Sequence, residues 1–477
     1  MQRFFRRGWW KPWNWSTRTW VLAIFVSLLI SPLITRWCCL WQVPDVALPF
    51  DVNDAIRPEL PADQDAFVRY ASAMKLAGRH SVGWANDAMN ASVDHDSLDW
   101  DDRLDQWLID NARALDEFRV AGEMEHAGGP SLKTADLMTG VSIHQELRYL
   151  VRLAATEALR SERSGDLEAA WQMHRANLNC ARHAEKPGFP IGFFIGIAIR
   201  SVACQGIKRW AEDPTLTVDR LQAARSEVSL AFSKRTLLVD VAKAEYLTLR
   251  NTLTRHDAPN IMYPNWEMDG SIEPQLLVAK RFLLWSAGQP ELTLRLARQL
   301  LLNNADQIDK PLRFRRKTIQ SKTRLVFELD PSVRRKSGQL KSAELYRALL
   351  HSIFNGHYLL DFCGSHLDIS RQRDDARHAA LDVVLASQQY QRIHGEFPAS
   401  IEQLVPTFLD SVPFDPMDAL GAPLRYRREA DGTAVVWSIG EDRIDDGGHV
   451  QLNDGSGNDK DIGYRIRQKP RLETPTP

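Results

Sequence analysis

Charge of one sign is the first thing this chain lacks: 60 Lys and Arg stand against 61 Asp and Glu. The whole-chain field therefore selects neither nucleic acid nor an acidic substrate. Cysteine is scarce as well. Cys38, Cys39, Cys180, Cys204 and Cys363 are the complete set, and none are spaced as CxxC, which argues against zinc and against a disulfide framework. Cys180 and Cys204 fall in helical patterns and read as small buried hydrophobes. Cys38 and Cys39 follow no lipobox, and adjacent cysteines are poorly placed to bridge each other. Catalytic signatures are missing too: there is no HExxH, no GxSxG, no Walker loop and no GxGxxG. His144-Gln145-Glu146 and Glu125-His126 lack the second histidine that a shared metal needs. His183 and His378 each sit in Ala-Arg-His-Ala on a helix and read as exposed or capping side chains.

What the chain does have is one N-terminal apolar run. No charge occurs from Thr19 to Thr35, about 26 Å of helix and just enough to cross a thin hydrocarbon core. Trp37, Leu40 and Trp41 extend it past Arg36, while Trp9, Trp10, Trp13, Trp15 and Trp20 mark the other interface. Arg3, Arg6, Arg7, Lys11 and Arg18 precede the run and Asp45, Asp51 and Asp54 follow it. The positive-inside rule then places residues 1–18 in the cytoplasm and the bulk outside it. No A-x-A-like site ends the run, so it reads as an uncleaved anchor over 19–41 in a cell inner membrane rather than a signal peptide. The hydrophobic fraction of 44% is ordinary for a globular protein, so the remainder is not membrane-embedded.

Pro44, Pro49, Pro58 and Pro61 make 42–61 an extended linker. Residues 62–365 read as a large α-helical extracytoplasmic domain. Phe67, Tyr70 and Met74, then Leu104, Trp107, Leu108 and Leu115, recur at helical spacing. The pattern from Leu147 to Leu159 breaks at Ser164-Gly165-Asp166, and the next helix, with Trp171 and Leu178, makes an ordinary helical hairpin rather than a repeat array. Asp213-Pro214 turns the chain, and Thr217 caps a helix through Leu221, Ala224, Val228 and Phe232. Arg255 to Glu273 has turn chemistry without periodicity and reads as a surface loop or lid. The basic stretch from Arg313 to Lys336 is either a solvated connector or a surface for anionic lipid or polysaccharide.

After His378 the chain changes to an α+β pattern. A helix through Leu381, Val384, Leu385 and Tyr390 ends at Gly395, and Ile401, Leu404 and Val405 form a second short helix. Leu424 to Arg427 and Ala434 to Ser438 read as strands joined at Asp431-Gly432. Tyr390, Gly395, Phe397, Pro398, then Val412-Pro413-Phe414-Asp415-Pro416, Gly421 and Pro423-Leu424-Arg425-Tyr426 make a recognisable string. Ser438-Ile439-Gly440-Glu441-Asp442, Gly447-Gly448 and Asp459-Lys460-Asp461-Ile462 continue it. Over residues 366–467 this resembles the C-terminal domain of the type II secretion major pseudopilin; the rest resembles bacterial membrane-anchored envelope proteins. The resemblance implies a calcium-binding acidic loop with Asp442, Asp459 and Asp461 as ligands, a donor set that suits a hard cation. Asp445 and Asp446 are spare carboxylates nearby, Arg443 stands where the family has a glycine, and Val450 to Gly457 is an insertion.

The expected fold is mainly α: an N-terminal transmembrane helix, a large α-helical domain, and a small C-terminal α+β pseudopilin-like domain at 366–467, with 468–477 a disordered tail. The expected function is a non-enzymatic interaction or scaffold role with a protein partner in the envelope. No nucleic acid and no small-molecule substrate is indicated. The alternatives are a type II secretion-associated component and an envelope hydrolase whose site is assembled within the helical domain.

Overall fold

The computed structural model describes residues 16–56, 58, 60–77, 100, 102–136, 139, 141–186, 188–254, 278, 282–315, 365–450 and 461–467. The N-terminal tail before Ser16, the Arg255–Glu273 loop, the basic stretch beyond Arg315, Cys363 and the C-terminal tail lie outside them. The chain divides into two compact units. Met1–Pro49, Arg250–Asn303 and Lys317–Cys363 belong to one; Phe50–Leu249, Asn304–Arg316 and Gly364–Pro477 belong to the other.

In the first unit, α1 runs over Thr17–Gln42, with Ser16 accepting a hydrogen bond from the Thr19 amide at 3.2 Å. Its 26 residues span about 39 Å at the usual helical rise, and it is long and apolar enough to cross a membrane. Val21, Leu22 and Leu28 are each more than 60% exposed, so no protein packing accounts for their hydrophobicity. The C-terminal end of α1 is fastened to residues 282–304. Arg36 donates to the Trp285 carbonyl at 2.8 Å and lies over the Trp285 ring. α11 (Glu291–Asn304) contributes Arg295, which donates to the carbonyls of Leu40 and Val43 at 3.4 and 3.3 Å, a cation placed at the helix C-terminus. Gln299 donates to the Pro44 carbonyl, and Arg298 pairs with Asp45 at 2.8 Å. The linker over 42–61 is therefore not simply extended: Val43 is fully buried and Pro44 and Asp45 are tied down. Further on, already in the second unit, α2 (Val52–Ala55) forms one turn capped by Asp51.

The second unit is a helical body closed by a small sheet. Its helices are α3 (Ala66–Leu76), α4 (Asp102–Asp110), α5 (Ala112–Glu123), α6 (Val141–Ser164), α7 (Leu167–Glu185), α8 (Pro190–Ala211), α9 (Val218–Ser233), α10 (Leu238–Thr254, whose last turn passes Leu249) and α12 (Ser365–His394). The caps follow from sequence: Asp65 accepts from the Phe67 amide, Asp166 from that of Ala169, and Thr217 from that of Arg220. Gly165, at φ +82°, supplies the left-handed residue that ends α6 and starts the α6–α7 hairpin.

α8 is apolar enough by composition to pass for a second membrane span, yet two-thirds of it is buried inside the unit against α6, α7 and α12. It also carries Arg200 and Arg209, both buried. It is the central core helix.

Strands β1 (Arg425–Arg428), β2 (Ala434–Ser438) and β3 (Ile462–Ile466) form an antiparallel meander in that order. The first two are the strands expected, within a residue; β3 was not anticipated. β2 is buried along its whole length because its two faces pack differently. Ala434 and Val436 face α12, whereas Trp437 packs on Gly448 and lies under Arg427. A Cβ on Gly463 would sit 2.0 Å from the Val436 carbonyl oxygen, which explains glycine in the middle of β3.

Helical body and sheet share one core. Trp171, Ile207 and Trp210, Leu221 and Val228, Leu381 and Val384, and Val436 and Tyr464 form a single buried cluster. The Trp171 and Trp210 rings lie 4.8 Å apart, and their indole N–H groups reach Glu227 and the Leu167 carbonyl. Such a pair contributes about 0.5–1.5 kcal/mol beyond its buried area. Residues 366–467 thus do not close on themselves; their apolar face is completed by α7, α8 and α9. Cys180 and Cys204 are free and buried, and burial pushes both thiols up to about 12.

Candidate functional site

Of the three expected calcium ligands, Asp442 and Asp461 are held by the loop's own backbone. Asp461, just before β3, is buried and accepts from the amides of Gly448 at 2.7 Å and Asp446 at 3.4 Å. Burial first, and the neighbouring Asp445 and Asp446 charges after it, push its carboxyl above the usual range. Asp442 accepts from the Ile444 amide at 3.0 Å in a turn of its own. Asp459 lies outside the described residues, as does most of the Val450–Gly457 insertion. Asp445 takes the Trp437 indole N–H at 2.9 Å. Asp446 Oδ2 is buried without a hydrogen-bond partner among the described residues. No three His, Cys, Asp or Glu side chains converge among the described residues. Arg443 adopts φ +60°, a left-handed conformation that favours the glycine of the family pattern.

A larger assembly of charge lies elsewhere, where α8, α12 and the α9–α10 turn meet. Arg200, 1% exposed, reaches Glu185 on α7 and Asp374 on α12, the latter at 2.9 Å. Arg235 joins Asp374 at 3.0 Å and Asp375 at 2.7 Å. Glu185 also accepts from the Thr236 amide at 3.2 Å. Gly196 makes room for this: a Cβ there would lie 2.6 Å from Glu185 Cγ. Burial alone would raise the Asp374 carboxyl, but Arg200, Arg235 and Arg371 hold it below the usual range. Asp375 moves the other way, because its burial outweighs the pull of Arg235.

The same elements open onto a cleft of about 530 Å³. One wall is Phe232 to Leu237 with Arg371, Gln372, Asp375 and His378 of α12; the other is Ile308 to Arg315 with the Phe414–Gly421 loop. His378 stacks on Phe232 at 3.9 Å, and burial and Arg235 lower its imidazole to about 4. Asp309 accepts from the amides of Leu238 and Val239, capping α10.

The histidines correct the sequence reading, which had them exposed or capping. His183 is fully buried, bonded to the Tyr70 hydroxyl at 2.9 Å and to the Met124 carbonyl at 3.0 Å, and burial lowers it to about 3. His378 is half-buried in the cleft wall. Charge on one helix face looks solvated until a second helix covers it, so Arg200, Arg371 and Asp374 also escaped notice. The available signal was Arg200 inside the otherwise apolar run of α8.

No protein family, no curated protein and no solved structure matches this chain.

Proposed function

We propose that the chain is a single-pass protein anchored in a cell inner membrane, with its N-terminus cytoplasmic and its bulk extracytoplasmic, and that it acts by binding rather than by catalysis. The carrying observation is α1, apolar along a membrane-spanning length with its side chains turned outward from the protein. Phe282, Leu283 and Trp285, exposed beside its outer end, suit the membrane interface. A reporter that is active only outside the cytoplasm, fused after residue 60, is expected to be active; activity of a cytoplasm-restricted reporter at that point would overturn the orientation.

In this reading residues 366–467 supply a pseudopilin-like surface stiffened by calcium. The supporting features are the residue string given above and the orphan Asp446 Oδ2 next to Asp461. Calcium is expected to raise the melting temperature of the full chain in detergent, and chelator to reverse the rise. An Asp461→Asn variant is expected to lose that response, and a wild-type protein indifferent to calcium would remove the metal from the proposal. A type II secretion-associated role rests on the same resemblance and predicts co-purification with secretion proteins.

The envelope-hydrolase reading has one observation in its favour. Asp375 and His378 line one cleft, the carboxyl shifted up by burial and the imidazole shifted down to about 4 by burial, the pattern of an acid–base pair. It requires an ester- or glycan-hydrolysing activity that Asp375→Asn and His378→Gln abolish without lowering the melting temperature.

A further inference from the structure

The charges that line the cleft are unevenly spent. Each of its four carboxylates is occupied. Asp309 caps α10, Asp375 pairs with Arg235, and Asp415 and Asp418 both face Arg425, with Asp415 also taking the Ser438 hydroxyl. Two of the five cations are neutralised, Arg235 by Asp374 and Asp375 and Arg315 by Asp368 at 2.5 Å. Lys310, Arg313 and Arg371 remain, and none has a carboxylate within ion-pair distance among the described residues.

Their settings differ in a way that points to a ligand. Arg371 is 9% exposed, lies over the Phe193 ring and donates to the Thr236 carbonyl at 2.7 Å, while its Nε has no hydrogen-bond partner among the described residues. Glu185 and Asp375 act on it only from beyond ion-pair distance, and a guanidinium so far removed from water without a direct carboxylate partner is costly unless an anion completes it. Arg313 lies over Phe414, its guanidinium carbon 3.9 Å from the ring centroid, and Lys310 is an exposed lining residue. Phe414 and the stacked Phe232–His378 pair supply apolar walls, and the volume falls in the range of small-molecule sites.

We propose that this cleft binds a phosphomonoester, a small molecule carrying a terminal phosphoryl group. A phosphoryl group brings nearly two negative charges and three acceptor oxygens to three unspent cations, where a carboxylate brings one charge and two. Guanidinium forks match its oxygens in pairs, and the lysine supplies a point charge. A free metabolite and a lipid headgroup offer the same group, so the source is decided by the ligand used. The site does not depend on the orientation in the membrane.

The test is calorimetric titration of the full chain in neutral detergent with glycerol phosphate, dihexanoyl phosphatidic acid, acetate and sodium chloride, at matched ionic strength. Saturable binding of one glycerol phosphate per chain, with no saturable heat from acetate or chloride, is the expected result. Saturation by the phosphatidic acid alone assigns the same phosphoryl site to a lipid. Lys310→Ala with Arg313→Ala is expected to weaken binding about tenfold or more while leaving the melting temperature in chloride unchanged. Arg371→Gln should weaken it similarly, and if that variant does not fold the double variant decides. No saturable heat from either phosphate compound, or an unchanged affinity in the double variant, overturns the proposal.

Discussion

Replacing Arg200 by methionine strands two buried carboxylates while nearly preserving side-chain volume, which makes it a direct test of the ion network. Asp374 keeps Arg235 at 3.0 Å, and Glu185 keeps, as its side chain's one direct partner among the described residues, the Thr236 amide at 3.2 Å. The loss is therefore set mainly by one uncompensated charge, about 3–5 kcal/mol for a broken buried pair. At about 2–4 °C per kcal/mol for a body of this size, the melting temperature should fall by roughly 6–20 °C. Thermal unfolding of the full chain in detergent, followed by circular dichroism, measures it. The pH dependence supplies a second readout. The Asp374 carboxyl is depressed in the folded protein, so its contribution is present above the unfolded value of about 3.9 and lost as pH falls below it. The gap between wild type and Arg200→Met should accordingly narrow below about pH 4. A loss under about 1 kcal/mol, or a gap constant from pH 7 to pH 3, would refute the claim that these charges are coupled and buried. Glu185→Met added to Arg200→Met should recover part of the loss, because it removes the less compensated of the two stranded carboxylates.

His183 gives a prediction of opposite chemical kind. Its folded value near 3 lies below the unfolded value, so stability falls as pH drops from about 6.5 toward 3, where the unfolded chain alone takes up the proton, by up to about 1.4 kcal/mol per pH unit. His183→Gln should flatten that part of the melting-temperature profile; an unchanged slope would mean His183 is not buried neutral. Gly463→Ala places a methyl group 2.0 Å from the Val436 carbonyl oxygen, and should cost about 3 kcal/mol or more; a chemical-denaturation midpoint equal to wild type would contradict the β2–β3 register. Thr217→Ala removes the cap on the Arg220 amide and should cost about 0.5–2 kcal/mol by the same assay.

Sequence by itself determined the local elements of this protein. The uncharged stretch before Arg36, the cap at Thr217, the break at Gly165 and the hairpin at Asp431-Gly432 are short-range matters of solvation, capping and backbone conformation. They are legible because each depends on residues within one turn or one strand pair. β3 was not legible, since its pairing with β2 joins residues far apart in the chain and its glycine is explained only by the carbonyl it faces.

Tertiary structure alone decided which charges are buried and what the C-terminal residues pack on. Arg200, Glu185 and Asp374 come from three helices and become a network only when α7, α8 and α12 close over one another. Leu381, Val384 and Val436 could have belonged to a self-contained module, yet their burial is completed by Trp171, Trp210 and Leu221. The cleft has the same origin: its cations come from three separate stretches, at Arg235, at Lys310 to Arg315 and at Arg371, and they lie open to a ligand only because the carboxylates beside them are already engaged. The long-range arrangement of charge follows from burial, and burial is a property of the assembled core rather than of any segment.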